Sequence, residues 1–193
     1  MRGALKALIL TAAVALVAAP TPARADGFFV PWVGANWGSG LDNGRAAFGA
    51  NAGYMGAGIV GGELAFGYSP SFFGTKNDFG NNTVIDLMGN LIVGVPVGGT
   101  HGAGIRPFVT AGVGLLRTQI DGGTLAKVSS SNNQWGWNAG AGVMGYFNEH
   151  VGLRGDLRYT RGFEDLNTGN QVLDLSGNNQ LHYWRLAAGV VLR

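Results

Sequence analysis

Three charged residues of alternating sign stand at every second position late in the chain: Arg154, Asp156 and Arg158. Side chains on a β-strand point alternately to opposite faces, so this spacing places two guanidinium groups and one carboxylate on one face. Guanidinium and carboxylate groups can join through two parallel hydrogen bonds, which suits such a face to ion pairing away from water. The other face carries Val151, Leu153, Leu157 and Tyr159. The segment therefore predicts an amphipathic strand, and its surroundings decide which face meets the solvent.

Catalytic chemistry finds little support in the sequence. A hydrolase of the Ser-His-acid type needs a histidine within reach of a nucleophile and a third group that orients it. His101 and His150 fall in predicted turns, whereas His182 lies near predicted loops that hold possible partners: Ser129, Ser130, Ser131, Ser176, Glu164 and Asp174. No nucleophile motif accompanies them, and loops carry Ser and Asp for turn formation alone. We expect no enzyme activity, no cofactor and no metal site, since the histidines lack metal-ligand spacing.

The first 25 residues predict a cleavable signal peptide. Arg2 and Lys6 precede an apolar run from Ala7 to Ala19, and a small-residue site follows at Ala23-Arg24-Ala25. A membrane anchor is the alternative, but the run has about 13 residues where a spanning helix needs roughly 20. We therefore expect cleavage after Ala25 and a single domain over residues 26–193.

Composition argues against water as the medium around this domain. Removal of the leader leaves ten basic residues against 11 acidic ones, a net charge of −1 where the whole chain has +2, so no basic face for nucleic acid remains. Cysteine is absent, and charged residues make up 12% of the chain where soluble domains carry about 25%. Lysine occurs after the leader only at Lys76 and Lys127, both in predicted loops. A soluble sheet would need many more charged side chains on its polar faces.

Alternating patterns predict eight strands and no membrane-spanning helix. The strands cover about 28–38, 45–55, 59–69, 83–95, 105–117, 135–147, 151–161 and 182–192, each close to the roughly 9–11 residues that a tilted strand needs to cross a bilayer. Their connections tend to alternate between short turns and longer polar loops, as they do in transmembrane barrels. We predict an all-β fold: an eight-stranded, antiparallel, up-and-down transmembrane β-barrel, monomeric, with both termini on the periplasmic side. A soluble lipocalin-like barrel is the rival fold.

If the apolar faces of the strands point outward, the polar faces line a narrow lumen. We predict a lumen ionic network of Glu63, Asp86, Arg154, Asp156, Arg158 and Arg185, accompanied by Asn36, Asn51, Asn90 and Asn138. An eight-stranded barrel is just wide enough to be filled by side chains, so the network is expected to close it. A gated or leaky ion path is the alternative. An aromatic girdle at the headgroup layer is predicted from Trp37, Tyr68, Trp135, Trp137, Tyr159 and Trp184.

Two stretches carry a family resemblance. The segment Arg106-Pro107-Phe108-Val109-Thr110-Ala111-Gly112-Val113-Gly114 resembles a strand of the small outer-membrane β-barrel proteins, the group with the OmpA-type transmembrane domain and the opacity-type porins. Residues 138–143 with 151–159 are similar to the family's penultimate hairpin. The resemblance spans nearly the whole mature chain and implies a fold and the outer membrane, not an activity.

One feature departs from that resemblance. The family's last strand usually ends on an aromatic residue that looks like the assembly machinery's recognition signal; here Gly189 and Leu192 fit the spacing but the sequence ends at Arg193. We predict a structural or surface-interaction (adhesin-like) protein acting through its extracellular loops. Its expected partners are outer-membrane lipid, the barrel assembly machinery and a host or environmental ligand at those loops. A small passive channel is the alternative function, and a lipid-modifying enzyme is the third.

Overall fold

The computed structural model describes residues 25–38, 44–72, 81–98, 102–121, 130–165 and 180–193. These residues form eight antiparallel strands that close into one barrel in the order β1 to β8. The strands are β1 (Ala25–Gly38), β2 (Arg45–Gly56), β3 (Val60–Pro70), β4 (Asn81–Gly94), β5 (Gly104–Asp121), β6 (Ser130–Tyr146), β7 (Val151–Asp165) and β8 (Gln180–Leu192). The predicted eight-stranded antiparallel barrel is confirmed. The part of the chain described contains no helix that is long and apolar enough to cross a membrane.

Several predicted strand ends were wrong. Strand β5 continues to residue 121 rather than 117, β6 starts at 130 rather than 135, and β7 continues to 165 rather than 161. The prediction ended each strand where the apolar alternation stopped. Backbone pairing continues past that point, for example from Gln119 to Ser131, because a ladder needs only N–H and C=O groups and accepts polar side chains.

The two ends of the barrel differ. At the turn end, residues 57–59 and 147–150 connect neighbouring strands, and at this same end β1 begins and β8 ends. Ala57 and Gly58 both have positive φ, and Ile59 N–H donates to the Gly56 carbonyl at 3.0 Å, the geometry of a type I′ hairpin that favours glycine. The opposite end, which we call the loop end, joins β1 to β2, β3 to β4, β5 to β6 and β7 to β8.

Apolar side chains face outward and charged side chains face inward, which is the reverse of a soluble sheet. Along β7, Leu153 and Leu157 are exposed whereas Arg154, Asp156 and Arg158 are buried. The same alternation holds around the barrel, so that Val33, Leu64, Val109 and Trp135 lie on the outside. A barrel with an apolar outer wall and buried charges is suited to lipid as its surrounding medium.

Large apolar side chains also fill both ends of the lumen. One cluster lies toward the turn end and consists of Phe28, Val30, Met55, Ile92, Phe108, Met144, Tyr146 and Val191. The other lies toward the loop end and consists of Ala65, Phe72, Val84, Met88, Leu116, Leu181 and Tyr183. We call them the turn-end layer and the loop-end layer. The sequence-based lumen was polar throughout, so these layers correct it: the inward positions near the strand ends carry apolar residues in the same alternating phase as the charges.

Candidate functional site

The polar side chains between the two layers form the candidate site. Glu63 on β3 faces Arg154, Asp156 and Arg158 on β7 across the lumen, and all four are buried. Glu63 accepts from Arg154 Nη1 through Oε2 at 2.5 Å and from Arg158 Nη2 through Oε1 at 2.7 Å. Asp156 accepts from Arg154 Nε at 2.8 Å and from Arg158 Nε at 2.9 Å. We call this closed, electrically neutral cycle of two acids and two bases the ionic ring.

A second pair lies beside the ring toward the loop end. Arg185 donates to both oxygens of Asp86, at 3.1 Å to Oδ1 and 2.5 Å to Oδ2. Its Nε donates to Asn36 Oδ1 at 2.9 Å, and Asn36 in turn donates to the Ser69 hydroxyl at 2.7 Å. The guanidinium also stacks 4.8 Å from the ring centroid of Trp32. The six residues predicted as one network thus divide into a four-membered ring and a bidentate pair.

Glycine makes room for these long side chains. Glu63, Asp86, Arg154, Asp156 and Arg158 each have a glycine directly opposite on a neighbouring strand, namely Gly53, Gly67, Gly189, Gly142 and Gly140. A Cβ at Gly67 would lie 2.3 Å from Asp86 Oδ2 and 2.6 Å from Arg185 Nη1. A Cβ at Gly142 would lie 2.6 Å from that of Asp156. Gly67, Gly140 and Gly142 thus leave room for the charged side chain opposite, whereas a Cβ at Gly53 or Gly189 would meet Phe28 or Trp32 instead.

Within the described part of the chain, little open volume surrounds the ion pairs. A cavity of about 10 Å³ lies among Trp32, Asn51, Ala65, Asp156, Arg158, Arg185 and Ala187. That is about the space that one water molecule occupies. Asn51 accepts from the indole N–H of Trp32 at 3.1 Å, and Asn90 donates to Glu63 at 3.1 Å. Among the residues that the structure describes, the middle of the lumen is therefore closely packed, and its acidic and basic groups pair with one another.

The structure places a further arginine, Arg106, inside the barrel, and the sequence analysis did not predict it there. Arg106, at the start of β5, is buried beneath the turn-end layer, with its guanidinium carbon 5.2 Å from the ring centroid of Tyr146. Arg193 also stacks on Tyr146, at 4.5 Å, and pairs with Asp26 of β1. Arg106 shares its phase with Phe108 and Thr110, so the alternation itself was the signal that could have found it.

The six residues of the predicted girdle lie on the outer wall near the loop end. Trp137 packs against Tyr159 with ring centroids 5.6 Å apart, and Tyr159 packs against Trp184 at 5.1 Å. Trp37 pairs with Trp184 across the β1–β8 seam, and Tyr68 packs against Phe48. The predicted girdle did not include the aromatic residues on the wall at the turn end, which are Phe29, Tyr54 and Phe147.

The hypothetical catalytic set is mostly outside the described residues. His182 lies on the outer wall, where its ring is 6.4 Å from that of Tyr159. His101, Ser129, Asp174 and Ser176 fall outside the described residues, as do the side chains of Ser130, Ser131 and Glu164 and the whole leader up to residue 24. Within the described part of the chain, no group of three or more His, Asp or Glu could hold a metal ion.

Comparison with known proteins identifies the fold family. A family model described as the outer membrane protein β-barrel domain matches residues 9–191. Neisserial surface protein A superposes with a TM-score of 0.62 at 15% identity, covering 87% of this chain and 97% of that one. The N-terminal β-barrel domain of Pseudomonas aeruginosa OprF gives 0.54 at 19% identity, covering 88% and 98%.

A third solved structure is that of Ail, the attachment invasion locus protein of Yersinia pestis, in complex with the heparin analogue sucrose octasulfate. It has a TM-score of 0.51 at 13% identity and covers 86% of this chain and 97% of that one. The comparison with curated proteins gives no significant match.

Proposed function

Because the chain belongs to the outer-membrane protein β-barrel domain family, we propose that it is a closed barrel of the outer membrane that acts through its loop end, as a structural or surface-interaction protein. Long loops of such barrels face the outside of the cell, and short turns face the periplasm. The turn end is then periplasmic and the loop end extracellular.

The observation that carries the proposal is the close packing of the lumen among the residues that the structure describes. The ionic ring is neutral and lies between two apolar layers, and the cavity beside it holds about one water molecule. A passive channel, the alternative function, needs a continuous column of water. Apolar constrictions such as the loop-end layer close pores by excluding water, so this packing favours a structural plug.

Conductance in a planar bilayer tests the closed lumen. We expect no stable current from the wild-type protein, or from the R158Q variant, because both apolar layers remain in place. Heat-modifiable gel mobility of the same preparation, reconstituted in vesicles that are fused to the bilayer, confirms that folded protein is delivered to the membrane, so an absence of current cannot be due to unfolded protein. Stable wild-type currents that change in the R154Q or R158Q variant would contradict the plug and support a channel.

The surface partner is proposed from the composition of the loop segments. The segments 39–43, 73–80, 122–129 and 166–179 contain two basic residues, Lys76 and Lys127, against three acidic ones, Asp42, Asp78 and Asp174, and they are rich in Asn, Gly, Ser and Thr. Binding of a sulfated polyanion requires a positive surface. These segments instead favour an uncharged ligand that is bound by hydrogen bonds, such as a neutral glycan or a polar peptide.

A loop replacement tests the surface role without disturbing the barrel. Asp165 of β7 pairs with Gln180 of β8, so residues 166–179 can be replaced by an Asn-Gly turn that continues this hairpin. Cells displaying the wild-type and the shortened protein are compared on arrays of neutral and sulfated glycans and on host matrix proteins. We expect the wild-type protein to bind an uncharged ligand on these arrays. The shortened protein should lose that binding while its heat-modifiable mobility is unchanged. Equal binding by both proteins would exclude this loop as the contact.

A further inference from the structure

An open apolar groove of about 400 Å³ runs along the outer wall over β6 to β8. Its floor contains Ala139 and Ala141, two small side chains on the lipid-facing side, and its walls are Trp137, Tyr159 and Trp184, with Leu157 at the turn-end side. The Tyr159 ring packs edge to face against Trp137 and tilted against Trp184. Their mutual contacts fix the walls, so the groove does not depend on a ligand to form.

A basic residue lies at the loop end of this groove. Arg161 pairs with Trp137 across the β6–β7 seam and with His182 across the β7–β8 seam. It shares the outward phase of Tyr159 and is two residues further along the strand, roughly 7 Å at the rise of a β-strand. Interfacial aromatic rings lie at headgroup depth, so Arg161 is placed at the level of lipid phosphates.

We propose that this groove is a binding site for one acyl chain of a phosphate-bearing lipid of the outer leaflet, with the phosphate at Arg161. Hydrocarbon surrounds the whole wall, so close packing, not exclusion from water, must favour the groove. Small side chains allow a chain to approach the backbone closely and gain dispersion contacts along its length. The arginine then selects lipids that carry a phosphate near the ends of their chains.

Charge argues against a second copy of the protein as the occupant. A dimer formed through one shared patch is two-fold symmetric, so each residue near the axis meets its own copy. An interface centred on the groove would bring the Arg161 side chains of both copies toward the same axis, and like charges placed together oppose association. A lipid phosphate, by contrast, complements the arginine.

Native mass spectrometry of the detergent-solubilised protein tests the site with two probes, dioleoyl phosphatidylglycerol and dioleoyl glycerol, which lacks the phosphate. The A141L variant fills the floor and is matched by A52L, an exposed alanine on β2 away from the groove. The R161Q variant removes the charge and is matched by R117Q, an exposed arginine on β5. Heat-modifiable mobility confirms that each variant is folded.

We expect A141L to reduce retention of both lipids, and R161Q to reduce retention of phosphatidylglycerol about fivefold while leaving dioleoyl glycerol unchanged. The two matched controls should behave as the wild-type protein does. Phosphatidylglycerol retention that is unchanged in both A141L and R161Q would overturn the proposal. So would a wild-type dimer that A141L converts to monomer, because a second copy would then occupy the groove.

Discussion

Replacement of Glu63 by glutamine should destabilise the barrel far more than the loss of one surface charge. Glu63 accepts from Arg154 and from Arg158 at 2.5 and 2.7 Å, and the substitution leaves both guanidinium groups to share Asp156. Two unit charges 4 Å apart attract by about 4 kcal/mol at an effective dielectric constant of 20. Two such attractions are lost, and the saved desolvation of one carboxylate, several kcal/mol, offsets part of the loss. We expect the free energy of unfolding to fall by about 3–5 kcal/mol.

The measurement is urea-induced unfolding in lipid vesicles, followed by the heat-modifiable band and by tryptophan fluorescence. The matched control is E149Q, the same substitution at an exposed turn residue, which should change the unfolding free energy by no more than about 0.5 kcal/mol. The E63Q/R158Q variant restores neutrality of the ring, so it should be less destabilised than the sum of the two single variants, by about 0.5–3 kcal/mol. Equal losses in E63Q and E149Q, or strict additivity in the double variant, would refute the ring as a coupled unit.

Two further substitutions test the lumen packing and the lipid-facing wall. The G67A variant places a Cβ 2.3 Å from Asp86 Oδ2 and should lower the unfolding free energy by about 1–3 kcal/mol, whereas G145A, where no atom lies within 4 Å, should have little effect; similar stabilities in the same urea titration would contradict the packing. The L64R variant places a charge on the lipid face in the middle of β3 and should cost about 2–4 kcal/mol, against about 0–1 kcal/mol for F147R at the turn end; equal costs would contradict this placement of the membrane.

The strands and their two faces could be predicted because the membrane leaves few options. Backbone groups in hydrocarbon must pair within the protein, so eight short alternating segments without helical spacing have to close into a barrel. Once the barrel closes, parity alone assigns each side chain. Leu64 must face lipid if Glu63 faces the lumen, and Trp135 must lie outside if Gln134 lies inside. A few charged residues therefore determine which face of each strand points into the lumen.

The apolar layers could not be predicted by residue type. Strand β4 reads Ile85-Asp86-Leu87-Met88 and continues in the same manner, so hydrophobic residues occur on both faces and only their phase separates them. Met88 and Ile92 share the phase of Asp86 and are buried, whereas Leu87 is exposed to lipid. Side chains that fill a lumen and side chains that meet lipid satisfy the same hydropathy. The prediction for the lumen named only polar residues, so Met88 and Ile92 were assigned to neither face.

The partners within the ring were also beyond reach of the sequence. Arg154 and Glu63 are separated by 91 positions and by several strands, so their meeting depends on the stagger of every strand pair between them. The turns fix each local register, and small offsets add around the barrel. The alternation predicted that two acidic and two basic side chains of the ring lie on inner faces. It could not show that they meet in one cycle while Asp86 and Arg185 pair separately.

This dependence on stagger explains why ion pairs lie between apolar layers. A slip of one strand against the next by two residues keeps each side chain on its own face. Apolar side chains tolerate such a slip, because each exchanges one apolar contact for another. The same slip would move Glu63 away from Arg154 and Arg158 and leave buried charges without partners, at a cost of several kcal/mol. The glycines opposite the charged residues would be displaced as well, so a neighbouring Cβ would meet Asp86 or Asp156. The layers exclude water, and the ring with its glycines distinguishes one register from its neighbours.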